Sequence, residues 1–145
     1  MLYFIPHDRV RSDPPAAEIF HCYPRAHYVA AVLISTDIVI YMDSLNPGSE
    51  PNAGVVRQIE ASFNLKKKYC IRSAMCQKQG LADCLPFVLA NLDAILAGAD
   101  ITKVKFPKKY VRAFFVKSLI YRTLSFPSKS CNCRGNDTVF VMRAK

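Results

Sequence analysis

Residues 85 to 96 read L-P-F-V-L-A-N-L-D-A-I-L, and this run constrains the fold more than any other part of the chain. At helical pitch Phe87, Val88, Leu89, Leu92, Ile95 and Leu96 cover most of a helix's circumference, so the helix has to be buried. Pro86 falls in the tolerated first turn, which starts the helix near Leu85, and Gly98 is a stop signal. What surrounds it reads largely as sheet. Ile19 to Cys22 is a short strand candidate, and Tyr23-Pro24-Arg25-Ala26 is a turn that delivers His27 onto a strand running to about Ile34. Ser35-Thr36-Asp37 is a hairpin connection. Ile38 to Met42 is β-branched and apolar, as a central strand should be.

Asn46-Pro47-Gly48 and Glu50-Pro51-Asn52 mark a loop. A helix is expected from Ala53 to Phe63, with Val55, Val56, Ile59 and Phe63 on one face. Tyr69-Cys70-Ile71 is a further strand candidate. A third helix, about Pro107 to Tyr121, should turn Val111, Phe114, Phe115 and Leu119 inward and Lys108, Lys109 and Arg112 outward, with Phe126-Pro127 ending it. The tail, residues 131 to 143, reads as a turn and a last strand. Residues 1 to 18 look irregular, with Asp13-Pro14-Pro15 breaking any helix. Residues 1 to 145 are thus expected to form one α+β domain with a mostly antiparallel sheet.

The 145 residues, 51% of them hydrophobic, suit one compact core and argue against disorder. No apolar run of about 18 residues is present, so no membrane span or membrane partner is expected. The start, M-L-Y-F-I-P-H-D-R, lacks the basic and apolar regions of a signal peptide, which points to an intracellular protein of nucleus or cytoplasm. Net charge is +9, with clusters at Lys66, Lys67 and Lys68 and at Lys103, Lys105, Lys108 and Lys109. Such a balance allows weak nucleic-acid binding as an accessory property and equally serves as a solvated surface. The six cysteines, 22, 70, 76, 84, 131 and 133, are expected to be reduced thiols. Cys131 and Cys133 are too close for a zinc knuckle, and His7 and His21 lack metal-ligand spacing, so no metal or cofactor is expected.

Residues 77 to 84 read Q-K-Q-G-L-A-D-C and place Cys84 where a loop becomes the buried helix. Unpaired N–H groups and the positive end of the helix dipole favour the thiolate there. An upstream Gln is a candidate oxyanion donor. His27 opens one strand and Asp43 closes the next, in Y-M-D-S-L. Taken singly, each residue has a plainer reading. A cysteine at a buried helix start is more often a small core residue, and Asp43 could simply start a turn. His21 and Cys22 are adjacent on a strand and point to opposite faces, which makes them scaffold.

The ordered set resembles the ubiquitin-like-protein proteases, the clan of SUMO proteases and adenovirus proteases, and more narrowly the versions encoded by transposons and DNA viruses. The residues that carry the likeness are Glu18 to Cys22 before His27-Tyr28-Val29, Tyr41 to Leu45, Arg57-Gln58-Ile59, Gln77 to Cys84, Phe87 to Asn91, Ala97-Gly98, Arg112 and Leu124 to Pro127. They span residues 18 to 128. The resemblance implies a papain-like cysteine protease fold whose central helix starts at the catalytic Cys84. It implies His27 as general base, Asp43 as its orienting carboxylate, and Gln77 as oxyanion donor beside the Cys84 N–H, with Gln79 in that role if the loop has lost one residue. The reaction would be cleavage of peptide or isopeptide bonds, in a ubiquitin-like protein conjugate or precursor or in a viral or transposon polyprotein.

The chain departs from the family in three places. Leu85-Pro86 stands where a Gly usually follows the Cys, Tyr28 stands for the usual Trp, and the chain begins close to the histidine motif, as a truncated member would. These departures support an alternative expectation, that of a family member without activity acting as a protein- or DNA-binding module.

Overall fold

A computed structural model describes residues 16–80, 82–132 and 134–144. The expectations for residues 1–15, His7 and Cys133 fall outside the described residues. Five strands form the main sheet: β1 (Ala16–His21), β2 (Tyr28–Ser35), β3 (Ile38–Met42), β4 (Lys68–Ser73) and, from the C-terminal end, a strand Thr138–Arg143. Two-residue strands β5 (Val104–Lys105) and β6 (Lys129–Ser130) form a separate pair, so the C-terminal strand is β7. The helices are α1 (Ala53–Ser62), α2 (Cys84–Leu96) and α3 (Lys108–Tyr121), with one 3-10 turn at Ile101–Lys103.

The strand order is β1-β2-β3-β4-β7, and only β3 and β4 run parallel. The fold is therefore mixed α+β with a mostly antiparallel sheet, and β3 is its middle strand, as its apolar composition suggested. β2 carries no polar alternation because both of its faces are covered. Val29 and Ala31 join Tyr41, Ile59 and Ile71 on the α1 side, whereas Ala30 and Val32 join Met42, Phe87 and Leu92 on the α2 side.

Each helix end has a local cause. The Asn52 carboxamide caps α1 by accepting the Val55 N–H at 2.9 Å. α2 ends in a left-handed glycine: Gly98 has φ +86° and donates to Ile95, while Ala99 donates to Ala94 at 2.9 Å. Those two bonds satisfy carbonyls that the helix cannot.

Four expectations need correction. β1 begins at Ala16, three residues before the strand read from the sequence, because its early residues pair with β2 down to Leu33. α3 ends at Tyr121, as its pattern indicates, but what stops it is Arg122, left-handed at φ +54°, and not Phe126-Pro127. Leu119 does not face inward. It is 58% exposed, because the buried stripe of α3 runs through Val111 and Ser118 and leaves Leu119 to one side. Finally, Cys131 is disulfide-bonded rather than reduced. Cys22, Cys70, Cys76 and Cys84 are free thiols.

Candidate active site

Hydrogen bonding places two of the expected residues in direct contact. His27, between the 23–26 turn and β2, and Asp43, directly after β3, meet because β2 and β3 pair antiparallel with Ala30 opposite Met42. His27 Nε2 lies 2.8 Å from Asp43 Oδ1, and both side chains are at least nine-tenths buried. The same Oδ1 accepts the backbone N–H groups of Leu45 at 2.9 Å and Asn46 at 3.3 Å. The carboxylate is thus fixed by its own turn before it meets the ring. Tyr41 Oη donates weakly to Oδ2 at 3.5 Å, and its phenol is pushed upward by burial first and by Asp43 second. With Nε2 on Asp43, Nδ1 is the ring nitrogen left to act as a base.

Cys84 is the first residue of α2 and is half-buried. Its thiol faces the carbonyl of Ala26, the residue before His27, at 4.0 Å. Asp83 occupies the N-cap position without capping the helix. Its carboxylate accepts instead from Arg112 Nε on α3. Helix geometry leaves the Cys84 and Leu85 N–H groups without intrahelical acceptors, while Pro86 has no N–H to offer. With Asp83 turned away, these donors can serve a substrate oxygen. Ala82, just upstream, holds φ +61°, a left-handed conformation that an L residue adopts at a cost of about 1 kcal/mol.

The two glutamines differ sharply. Gln77 Oε1 accepts the Phe106 N–H at 2.6 Å and its Nε2 donates to the Phe106 carbonyl at 3.1 Å. That amide is used at both ends to join the loop to the chain after β5. The Gln79 backbone N–H donates to the Ser44 carbonyl at 2.8 Å, and Gln79 Oε1 accepts from the Ser44 hydroxyl. This orientation leaves Nε2 as the free donor end. The sequence pattern quoted Ser44 within Asp-Ser-Leu but assigned it no role; here it orients an amide.

Cys22 is joined to the histidine turn through its N–H to the His27 carbonyl at 2.8 Å. Burial pushes its thiol up to about 11, with Asp43 and then Cys84 adding to the rise and Arg25 opposing it. Cys76 is pushed up to about 12, again by burial first and Asp43 second. Both stay protonated beside the site. Among the described residues, no three His, Cys, Asp or Glu side chains gather as metal ligands, and no helix is long and apolar enough to cross a membrane.

Two surface concavities lie elsewhere. One, of about 440 Å³, includes Arg72 and Asp100; the other, of about 610 Å³, includes Arg57 and Met142. Neither is lined by His27, Asp43, Gln79 or Cys84. Comparison with protein-family models, curated proteins and solved structures finds no significant match to this chain.

Proposed function

We propose that the protein is a cysteine-type peptidase that cleaves peptide or isopeptide bonds through a thioester, with an arrangement of the papain type. The observation that carries this reading is the buried His27–Asp43 contact at 2.8 Å, with Cys84 heading α2 against the adjoining turn. Cys84 gives its proton to His27 Nδ1, and the thiolate attacks the scissile carbonyl. Asp43 stabilises the imidazolium by accepting from Nε2. The oxyanion meets the Cys84 N–H and Gln79 Nε2, so in this reading Gln79 takes the role for which Gln77 was the first candidate. The imidazolium then protonates the leaving amine, and water attacks the thioester with His27 again as base.

The thiol opens at a helix end and not into either concavity. A ubiquitin-like protein tail or a viral or transposon polyprotein is the substrate class that the motif set implies. Leu85, half-buried next to the nucleophile, narrows the approach for a chain ending in Gly.

The test is the rate at which iodoacetamide alkylates Cys84, followed by mass spectrometry, in wild type and His27→Ala. At about pH 6.5, where an ordinary thiol is almost wholly protonated, wild type should react at least about tenfold faster than the variant. Equal rates would remove the peptidase reading. In that case the +9 charge and the exposed Lys66, Lys67 and Lys68 favour the binding-module reading. DNA binding that weakens steeply with salt is its signature.

A further inference from the structure

The loop that carries Gln79 is held by a part of the chain far from it in sequence. Met75 lies four positions before Gln79, and both of its backbone groups are taken by the C-terminal segment. Its N–H donates to Asp137 Oδ1 at 3.0 Å, and its carbonyl accepts from Arg134 Nε at 2.9 Å. The Arg134 guanidinium continues to the Ile101 carbonyl at 3.0 Å and to the Val104 carbonyl. One side chain therefore ties the glutamine loop to the 101–104 segment, whose continuation at Phe106 is held by Gln77. The Cys131 N–H adds a backbone bond to Lys103 at 2.7 Å. β7 then pairs with β4 along its whole length, from Ser73–Thr138 to Lys68–Arg143, which fixes the segment in place. Burial is the main influence that lowers the Arg134 pKa, and a guanidinium stays charged under any such shift.

A guanidinium that bridges three carbonyls is a rigid fork. It holds the loop more tightly than one loop–loop contact could. An oxyanion donor is useful only if it is already in place when charge develops, since misplacement by about 1 Å forfeits much of its effect. We infer that Arg134 and Asp137 are positioning residues for acylation, acting on Gln79 through the backbone of Met75. This rests on the peptidase reading above, and it assigns a role in the chemistry to a C-terminal segment that the family likeness did not reach.

Two reactions at the same sulfur separate positioning from simple structural support. With p-nitrophenyl acetate, the Cys84 thiolate forms a bond to the acetyl carbon through a tetrahedral oxyanion. The C–O bond then breaks, leaving acetyl-Cys84 and p-nitrophenolate. Iodoacetamide alkylates the same thiolate by displacing iodide and passes through no oxyanion. Both rates are measured for Arg134→Ala, Asp137→Ala and Asp137→Asn, the last of which keeps an oxygen acceptor for the Met75 N–H. Cys84→Ser supplies the background.

The expected result is a loss of about tenfold or more in acetylation for both alanine variants. Alkylation should stay within about twofold of wild type, and Asp137→Asn should recover most of the acetylation rate. Unchanged acetylation in the alanine variants overturns the inference, and so does a parallel fall in both reactions. If Arg134→Ala fails to fold by circular dichroism, the Asp137 pair decides alone. Failure of the peptidase reading shows separately, as Cys84 alkylation at equal rates in wild type and His27→Ala. That outcome removes the inference as well.

Discussion

The side-chain amide of Gln77 closes on the backbone of Phe106 at both ends, accepting its N–H at 2.6 Å and donating to its carbonyl at 3.1 Å. Gln79, two residues on, uses only its oxygen, on Ser44. The two glutamines therefore answer to different measurements. Gln77→Ala leaves two buried backbone groups of Phe106 unpaired and should cost about 1–3 kcal/mol in urea unfolding. Gln79→Glu keeps an acceptor for Ser44 but removes the donor. It should lower acetylation of Cys84 by about a hundredfold or more. If the two variants exchanged effects, Gln77 would regain the oxyanion role.

The four free cysteines among the described residues should separate by reactivity. Burial pushes Cys22 up to about 11 and Cys76 up to about 12, so both remain neutral thiols at pH values where labelling is practical. Cys84 and Cys70 are half-buried and reachable. Limited treatment with iodoacetamide near pH 7 should modify Cys84 first and Cys70 second, and leave Cys22 and Cys76 intact in the native protein. Peptide mapping after a time course reads the order directly. Early modification of Cys22 would contradict the burial described above.

Asp93 on α2 accepts the Phe126 N–H at 3.0 Å, and burial raises its pKa despite that bond. A carboxyl whose folded pKa lies above its unfolded one contributes stability below the unfolded value of about 3.8 and loses it as pH rises through the folded value. Asp93→Asn keeps an oxygen for Phe126 and has no charge to desolvate. Its urea midpoint should exceed that of wild type at neutral pH, and the difference should shrink as pH falls below the carboxylate range. A variant less stable at every pH would mean that the charge itself is needed.

Asn91 is 1% exposed on the same helix, and neither its amide oxygen nor its nitrogen has a hydrogen-bond partner. An unpaired buried amide is a net cost, and leucine keeps the branched outline of the side chain, at a larger volume, without polar atoms. Asn91→Leu should stabilise the fold by about 1 kcal/mol in chemical denaturation. Destabilisation of that size would mean that overpacking by the larger side chain outweighs the unpaired amide.

Much of the fold is legible along the chain. β3 spans the residues that its β-branched run marks, and α1 starts behind the Asn52 cap within the expected bounds. The start of α2 at Cys84 follows from an apolar run that begins there and a loop that precedes it. The inward reading of Leu119 failed for a definite reason. Periodicity says which residues share a face of α3, but the width of the stripe that is covered depends on tertiary packing, which buries Ser118 and leaves Leu119 out. The disulfide state of Cys131 was equally out of reach, since compartment rules address the average thiol and not one local geometry.

Within the candidate site, residue order alone puts His27, Asp43 and Cys84 at the ends of their strands and helix. Those are consequences of local pattern, and local pattern is what residue order encodes most directly. Which groups the side chains of the site and its loops meet follows from packing in three dimensions. Gln77 and Phe106 are 29 residues apart, Ser44 and Gln79 are 35 apart, and Met75 and Asp137 are 62 apart. A side-chain amide or guanidinium takes whichever backbone group packing brings within about 3 Å, and periodicity holds no record of that choice.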